Sequence, residues 1–546
     1  MRRFYGKAVC GGVAIGKVRL LQHIKVQSEK TVIHDTDAEQ NRLQQAVTTA
    51  REQLLALAEQ TKAQLGESQA QIFEIHAMML EDEDFMDCIR ETITKQCCNA
   101  EYAVHHAATV FAEGFATMDD GYMQARAADV KDIGARLLRC LAHQQDIEVW
   151  GASPCIVCAD DLSPSETAGL STDRVLGFAT AQGSTGSHTA ILARSMNIPA
   201  VVGLGNDFLA ALQNGETILV DGQTGECVIA PDGQTRQAAE EKQNRIAAHI
   251  VALHTLRTVE TVTADGKKIR LYANISGTKD MQQALENGAE GVGLYRSEFL
   301  YLQQAALPDE EMQYRAYRHL LEQMPTSLMI IRTLDIGADK QMPYLPLPHE
   351  KNPALGVRGI RLCLAHPELF RTQLRALYRA SVHGKLGIMF PMITDAEELR
   401  QILAICAQIR ETLRQEGIPY GDDIQHGVMI ETPAAAICSA QLAPLVDFFS
   451  IGTNDLTQYT LACDRQNPQL EYLHGAPSQA VLTLMAETVR NAHAKGIWVG
   501  VCGEMAADPT LTEKLLHMGI DELSVSPKDI LPLRQHIRSL YSTKKD

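Results

Sequence analysis

Residues 181–203 read AQGSTGSHTAILARSMNIPAVVG. A run of small residues, Gly183, Ser184, Thr185, Gly186 and Ser187, delivers one histidine, His188, to the start of an apolar-periodic segment. Ala190, Ile191, Ala193 and Ile198 supply its packing side. Pro199 is expected to stop that helix, and residues 200–203 read as a short buried strand. Glycines let the main chain approach a phosphoryl group closely, and the unpaired N–H groups of a helix start attract its negative charge. The positive helix end also disfavours imidazolium, so the ring keeps a lone pair free to attack phosphorus. The same stretch equally fits a Gly/Ser turn before an ordinary helix, with His188 beside the cap.

Short β-type runs surround this stretch at 155–158, 175–178, 200–202 and 217–220, separated by turns. They describe a small α/β domain made of residues 1–20 plus 145–231, with an opening strand near residues 8–20. Residues 11–17, GGVAIGK, fit the front of a P-loop, but Val18 stands where a Ser or Thr would hold magnesium; a glycine-containing strand is the better reading. Between about 35 and 141 the pattern is helical, and no proline occurs from 31 to 153. Residues 21–144 are therefore expected to form an inserted helical bundle. His76 within it reads as a surface or packing histidine. Residues 232–260, rich in Gln, Ala and Glu, look like a helical connector.

From 261 to 546 eight apolar runs alternate with helical stretches: 269–275, 291–295, 328–334, 386–392, 427–430, 448–452, 498–501 and 522–525. Eight strand–helix repeats of this length predict a (β/α)8 barrel, whose strand ends share one face. The residues at those ends are Asn274, Arg296, Glu298, Arg332, Asp335, Glu431, Asn454, Asp455, Cys502 and Glu504. Arg296, Arg332, Arg358 and Arg465 offer planar, bidentate contacts to phosphate and carboxylate. Glu431 and Asp455 are hard oxygen donors suited to Mg²⁺, which takes few protein ligands and fills the rest from substrate and water. Charge neutralisation with in-line positioning is what phosphoryl transfer requires. Cys502 could donate a proton to a carbanion-like carbon, or be a small buried thiol.

The 546 residues carry 45% hydrophobic and 21% charged side chains, as expected of a soluble multidomain protein. No run approaches a membrane span, and glycines and a lysine interrupt the basic N-terminus before it could be a signal peptide. Thirteen cysteines in irregular positions suggest reduced thiols in the cytoplasm, and neither Cys97-Cys98 nor the Cys155/Cys158 pair has the second half of a zinc site. A net charge of −17 argues against nucleic acid. Residues 21–144 hold 20 Asp/Glu against 11 Lys/Arg, which suits solvated helix faces or a basic protein partner.

Six segments in order carry a resemblance: 187–194 (SHTAILAR), 291–299 (GVGLYRSEF), 332–340 (RTLDIGADK), 352–358 (NPALGVR), 451–459 (IGTNDLTQY) and 501–505 (VCGEM). With these the chain resembles, over nearly its full length, the enzyme I family of the bacterial phosphoenolpyruvate (PEP):sugar phosphotransferase system. The resemblance implies a swivelling α/β phosphohistidine domain with an inserted bundle, followed by a PEP-binding TIM-type barrel that dimerises. It implies that His188 carries the phosphoryl group on Nε2. Arg296, Arg332, Asn454, Asp455 and Arg465 would hold PEP, with Lys340 and Arg358 close by. Glu431 and Asp455 would bind Mg²⁺, and Cys502 would protonate enolpyruvate to pyruvate. The bundle would dock the phosphocarrier protein HPr. The family's usual Gly-Gly-Arg-Thr-Ser-His loop is replaced by Gly183-Ser184-Thr185-Gly186-Ser187-His188, so its cationic side chain is missing; backbone N–H groups with Thr185, Ser187 or Thr189 would substitute. PEP synthase and pyruvate phosphate dikinase need a large ATP-binding domain for which no segment is long enough. A regulatory or inactive paralogue that binds PEP or a carrier without efficient turnover is the alternative.

Overall fold

The computed structural model describes residues 1–21, 29–65, 67–116, 121–142, 153–162, 174–185, 187–302, 304, 306–337, 342, 344–465, 467, 470–474 and 477–542. It divides into two compact units, 1–248 and 249–546.

The first unit holds an eight-stranded mixed sheet: β1 (Arg2–Tyr5), β2 (Lys7–Cys10), β3 (Val13–Leu21), β4 (Cys155–Ala159), β5 (Val175–Thr180), β6 (Ala200–Val202), β7 (Thr217–Asp221) and β8 (Glu226–Ile229), in the order 1-8-7-3-4-5-6-2. β3, β4, β5 and β6 run parallel, and β1, β2, β7 and β8 pair antiparallel. The short runs at 155–158 and 175–178 are nearly continuous in apolar residues because both of their faces are covered, Val157 and Phe178 by one core cluster, Ile156 and Ala179 by the other. β1 and β2, four residues each and mostly exposed, carry too little apolar pattern to be foreseen.

Between β3 and β4 the described residues form five helices, Thr36–Leu65, Glu67–Met79, Glu83–Gln96, Ala100–Ala116 and Gly121–Leu141. Leu43, Leu54, Phe73, Ile89, Val104 and Leu137 are nearly inaccessible and form their common core. Asp82 caps the third by accepting the Phe85 N–H at 3.0 Å, one of the orphan donors of a helix start. His76 is wholly buried, a packing rather than a surface histidine, with Nε2 3.3 Å from Asp129 Oδ1 and Nδ1 3.6 Å from Asp132 Oδ2. The helix Gly233–His254 is tied to the sheet through its first half, by Lys242 to Asp221 at 2.5 Å and Gln243 to the Val13 carbonyl at 2.8 Å.

The second unit is a closed barrel of eight parallel strands: β9 (Arg270–Ile275), β10 (Val292–Arg296), β11 (Leu328–Arg332), β12 (Lys385–Phe390), β13 (Gln425–Ile430), β14 (Phe448–Ile451), β15 (Trp498–Val501) and β16 (Glu522–Val525). All eight runs expected from the sequence are strands, three of them ending sooner: β11 stops at Arg332, β12 at Phe390 and β14 at Ile451. Outward residues such as Ile331, Ile388 and Leu523 pack under the surrounding helices, and Leu294, Ile330, Met389, Met429, Phe448 and Cys502 fill the inside. At the end where the strands begin, Phe448 stacks on Trp498 with ring centroids 4.7 Å apart, and the Arg270 guanidinium lies 4.8 Å over the Trp498 ring. Arg534 is buried at that end, donating to Thr261 and to the carbonyls of Leu256, Arg257 and Gly288. Beside it opens a cavity of about 1020 Å³.

Candidate active site

The finishing ends of the barrel strands carry a row of alternating charges. Arg332, the last residue of β11, sends Nη2 to Glu298 Oε1 at 2.5 Å and Nη1 to Asp335 Oδ2 at 2.9 Å. Asp335 also takes Arg358, at 3.2 Å from Nε and 2.9 Å from Nη2. Arg358 Nη1 then reaches Asp455 Oδ1 at 3.1 Å and the Tyr459 hydroxyl at 3.1 Å, and Arg465 Nη1 stands 3.6 Å from Asp455 Oδ2. Burial opposes the charge on Arg332, but Glu298, Asp335 and Glu431 outweigh it and raise its pKa; Asp335 and Asp455 do the same for buried Arg358. Arg332 and Arg358 thus stay cationic although buried, where interactions with a phosphate are strong.

Sequence order would pair Arg296 with Glu298. Instead Glu298 serves Arg332, which β10–β11 register sets beside Arg296. Arg296 is exposed on a cavity of about 260 Å³ shared with Asn274, Asp280 and Lys528, where its guanidinium is available to an anion. Asn454 and Asp455 lie in the first turn of the helix Thr453–Leu461. Asn454 Oδ1 accepts the Glu504 N–H at 3.0 Å, and its Nδ2 donates to Glu504 Oε1 at 3.3 Å. Gly503 makes this possible, since a Cβ there would sit 1.9 Å from Thr453 Oγ1.

Glu431 follows β13 and is 1% exposed. One oxygen, Oε1, accepts the Met392 N–H at 2.6 Å; the other is buried and has no hydrogen-bond partner among the described residues. Burial, then the neighbouring charges of Asp455 and Asp335, push its pKa up to about 8, against the pull of Arg332 and Arg358. A carboxyl in this position calls for a proton or a cation, and an orphaned hard oxygen near Asp455 fits a divalent ion. Among the described residues no three His, Cys, Asp or Glu side chains gather as a metal cage.

Cys502 lies at the end of β15, 5% exposed, with its thiol 3.7 Å from the Ile451 carbonyl. Burial pushes the thiol up to about 12, which keeps it protonated and able to give a proton to a basic carbon. Asn274 buttresses this end, donating to the carbonyls of Cys502 at 3.1 Å and Ser524 at 3.0 Å.

In the first unit His188 is the first residue of the helix His188–Met196, with Ser187 as its N-cap. The Ser187 hydroxyl makes no capping bond and is buried without a hydrogen-bond partner among the described residues, so the first-turn N–H groups are not taken by it. Thr189 donates its hydroxyl to Asp161 Oδ1 at 3.0 Å, and Asp161 also accepts the Leu162 N–H at 2.9 Å. Arg194 reaches back to the Thr185 carbonyl at 2.7 Å. The helix ends before Pro199: Asn197 takes a left-handed conformation and Ile198 donates to the Ala193 carbonyl at 3.0 Å, a C-cap that needs no proline. Asp161 was missed; an acid after a short strand is an ordinary loop residue, and only the fold brings it to Thr189. Lys340 and Gly186 lie outside the described residues, as does the side chain of His188.

Family models for PEP-utilising enzymes match almost the whole chain: the N-terminal model at residues 5–126, the mobile-domain model at 151–225 and the PEP-binding-domain model at 252–542. The chain is similar to phosphoenolpyruvate-protein phosphotransferases from several bacteria. It is 45% identical to that of Geobacillus stearothermophilus over 543 residues, 99% of this chain and 93% of the relative. It is 42% identical to that of Bacillus subtilis (strain 168), covering 99% and 95%. The Staphylococcus carnosus (strain TM300) protein is 42% identical, covering 100% and 95%.

Proposed function

This chain belongs to the family of phosphoenolpyruvate–protein phosphotransferases, and on that premise we propose that the phosphoryl group of PEP passes through His188. The observation that carries the reading is the alternating row Glu298–Arg332–Asp335–Arg358–Asp455–Arg465, whose middle members surround Glu431, a carboxylate with one oxygen unpartnered among the described residues. Arg296, Arg332, Arg358 and Arg465, with Asn454, receive the phosphate and carboxylate of PEP, and Lys340 belongs to the same set. Glu431 and Asp455 would hold Mg²⁺, which supplies charge neutralisation on the phosphoryl oxygens.

The first step breaks the bond between phosphorus and the enol oxygen of PEP and forms one between phosphorus and His188 Nε2. The arginines stabilise the enolate left behind. Cys502 then gives its thiol proton to C3 of the enolate, which leaves as pyruvate. The phosphoryl group moves on to a histidine of the carrier HPr, docked on the inserted helical domain, whose acidic surplus supports a basic partner. We assign residues 1–20 plus 145–231 to the phosphohistidine domain, 21–144 to the carrier-binding domain, 232–260 to the linker and 261–546 to a PEP-binding barrel that forms a homodimer. Thirteen cysteines in irregular positions support a reducing compartment such as the cytoplasm.

Incubating the protein with ³²P-labelled PEP and Mg²⁺ tests this. Acid-labile, alkali-stable label that disappears in His188→Ala is the expected result. A wild-type chain that binds PEP and takes no label would identify the non-catalytic paralogue instead.

A further inference from the structure

The barrel interior beneath Cys502 is not wholly apolar. Glu522, at the start of β16, is 1% exposed and points inward, where Oε1 has no hydrogen-bond partner among the described residues. Two glycines on other strands make room for it. A Cβ on Gly500 would lie 1.9 Å from Glu522 Oε2, and one on Gly293 would lie 2.5 Å from Oε1. The same Gly293 position is 2.4 Å from Ser524 Oγ, so the serine and glutamate oxygens are close enough for one water molecule to bridge them. Ser524 donates to Asn274 Oδ1 at 2.6 Å, and Asn274 donates to the Cys502 carbonyl. Across β14–β15 the partner of Gly500 is Ser450, whose buried hydroxyl lies against the Cys502 thiol and has no well-aligned hydrogen-bond partner. On the other side, Arg270 is the register partner of Glu522, and Arg270, Tyr272 and Trp498 all line the cavity of about 1020 Å³ at the opposite end of the barrel.

We propose that Glu522 is a proton-relay residue that refills the Cys502 thiol through the barrel core, by way of Ser450 and water, from the face opposite the substrate. The proposal rests on Cys502 being the donor to C3 of the enolate. After that donation the sulfur, on a residue only 5% exposed, lies beneath pyruvate with little access to solvent from the mouth. Refilling then breaks the Glu522 carboxyl O–H bond and passes its proton to Ser450, whose own proton forms the new S–H bond. The Glu522 carboxylate recovers a proton from water in the far cavity, so each cycle consumes one solvent proton and changes no oxidation state. The buried carboxyl holds that proton at neutral pH, because burial drives its pKa well above the ordinary range and Arg270 only partly offsets this. Glu522 does not touch substrate; it acts through Cys502.

The test is PEP–pyruvate exchange in D₂O with Mg²⁺ and no carrier, following [¹⁴C]pyruvate into PEP together with deuterium into the pyruvate methyl group. Carbon exchange reuses the proton that Cys502 has just given, whereas deuterium entry requires that the thiol be refilled from solvent. Glu522→Gln, which keeps shape and removes the acid, is expected to lower deuterium entry per carbon exchange at least about tenfold. Ser450→Ala, a smaller change, is expected to lower the same ratio. A ratio equal to wild type in either variant that retains exchange overturns the relay, as does a parallel fall of both rates. Cys502→Ala tests the premise separately: if deuterium entry and exchange persist there at wild-type rates, the donor assignment fails, whatever Glu522 does.

Discussion

Met392 donates its backbone N–H to Glu431 Oε1 at 2.6 Å, and it does so from a left-handed conformation, φ 58°, that only glycine adopts without cost. A strained residue therefore holds one oxygen of the most perturbed carboxyl in the barrel mouth, leaving the other for a ligand. Strain of about 1–3 kcal/mol at such a position is maintained by its surroundings. Those surroundings include Gly359, itself at φ +59°, where a Cβ would lie 2.9 Å from Met392 Cγ and 3.1 Å from Asp335 Oδ1.

Gly359→Ala is accordingly expected to destabilise the barrel by about 1–3 kcal/mol, combining a forbidden backbone with two close contacts. Chemical denaturation of the second unit's signal measures this. The same variant displaces Met392 or Asp335, so the Mg²⁺ concentration needed for half-maximal label from PEP rises as well.

Without a cation the Glu431 carboxyl titrates near 8, raised from its ordinary 4.5. A raised carboxyl makes the folded chain bind more protons than the unfolded one between those values, so metal-free stability falls as pH rises across that window. A cation that binds the carboxylate must displace the proton. Mg²⁺ binding at pH 7 is expected to release about one proton, shown by calorimetry in buffers of different ionisation enthalpy. Glu431→Gln abolishes that release and lowers phosphorylation by about 10²-fold or more.

Gly503→Ala pushes a methyl group into Thr453 and to 3.0 Å from Asn454 Oδ1. The turn that lets Asn454 bond Glu504 cannot then close. The expected outcome is a KM for PEP raised about tenfold or more, with the barrel still folded by circular dichroism.

Cys502 is buried and its thiol lies near 12, so it is expected to resist iodoacetamide at pH 8 while exposed Cys97 reacts. Peptide mapping after brief alkylation reads this directly. Cys502→Ala should slow pyruvate formation by about 10²-fold while PEP binding persists.

The barrel was legible because its eight strands alternate with helices in register with the sequence, and a parallel barrel places every strand end on one face. That geometry is why Arg332, Asp335, Glu431 and Asp455 could be named before any coordinates. Which acid serves which arginine was not legible: Glu298 crosses to the neighbouring strand's Arg332, and Arg358 joins Asp335 to Asp455 from a loop. Met392 and Asp161 matter through backbone conformation and a long-range contact, which residue type does not reveal. Glu522 reads in sequence as an ordinary charge at a strand start; only Gly293 and Gly500, on strands far apart in the chain, show that it is turned inward.

The chain has two tryptophans, and Trp498 is the one in the second unit, held between Phe448 and the Arg270 guanidinium. An indole gripped on both faces has its emission set by that sandwich. Its share of the intrinsic fluorescence, separated from that of Trp150 by a Trp150→Phe variant, therefore reports whether the barrel floor is intact, with no label attached. Because the reporter sits at the far end from the arginine row, a ligand bound at that row could alter its colour or lifetime only by moving the strands themselves.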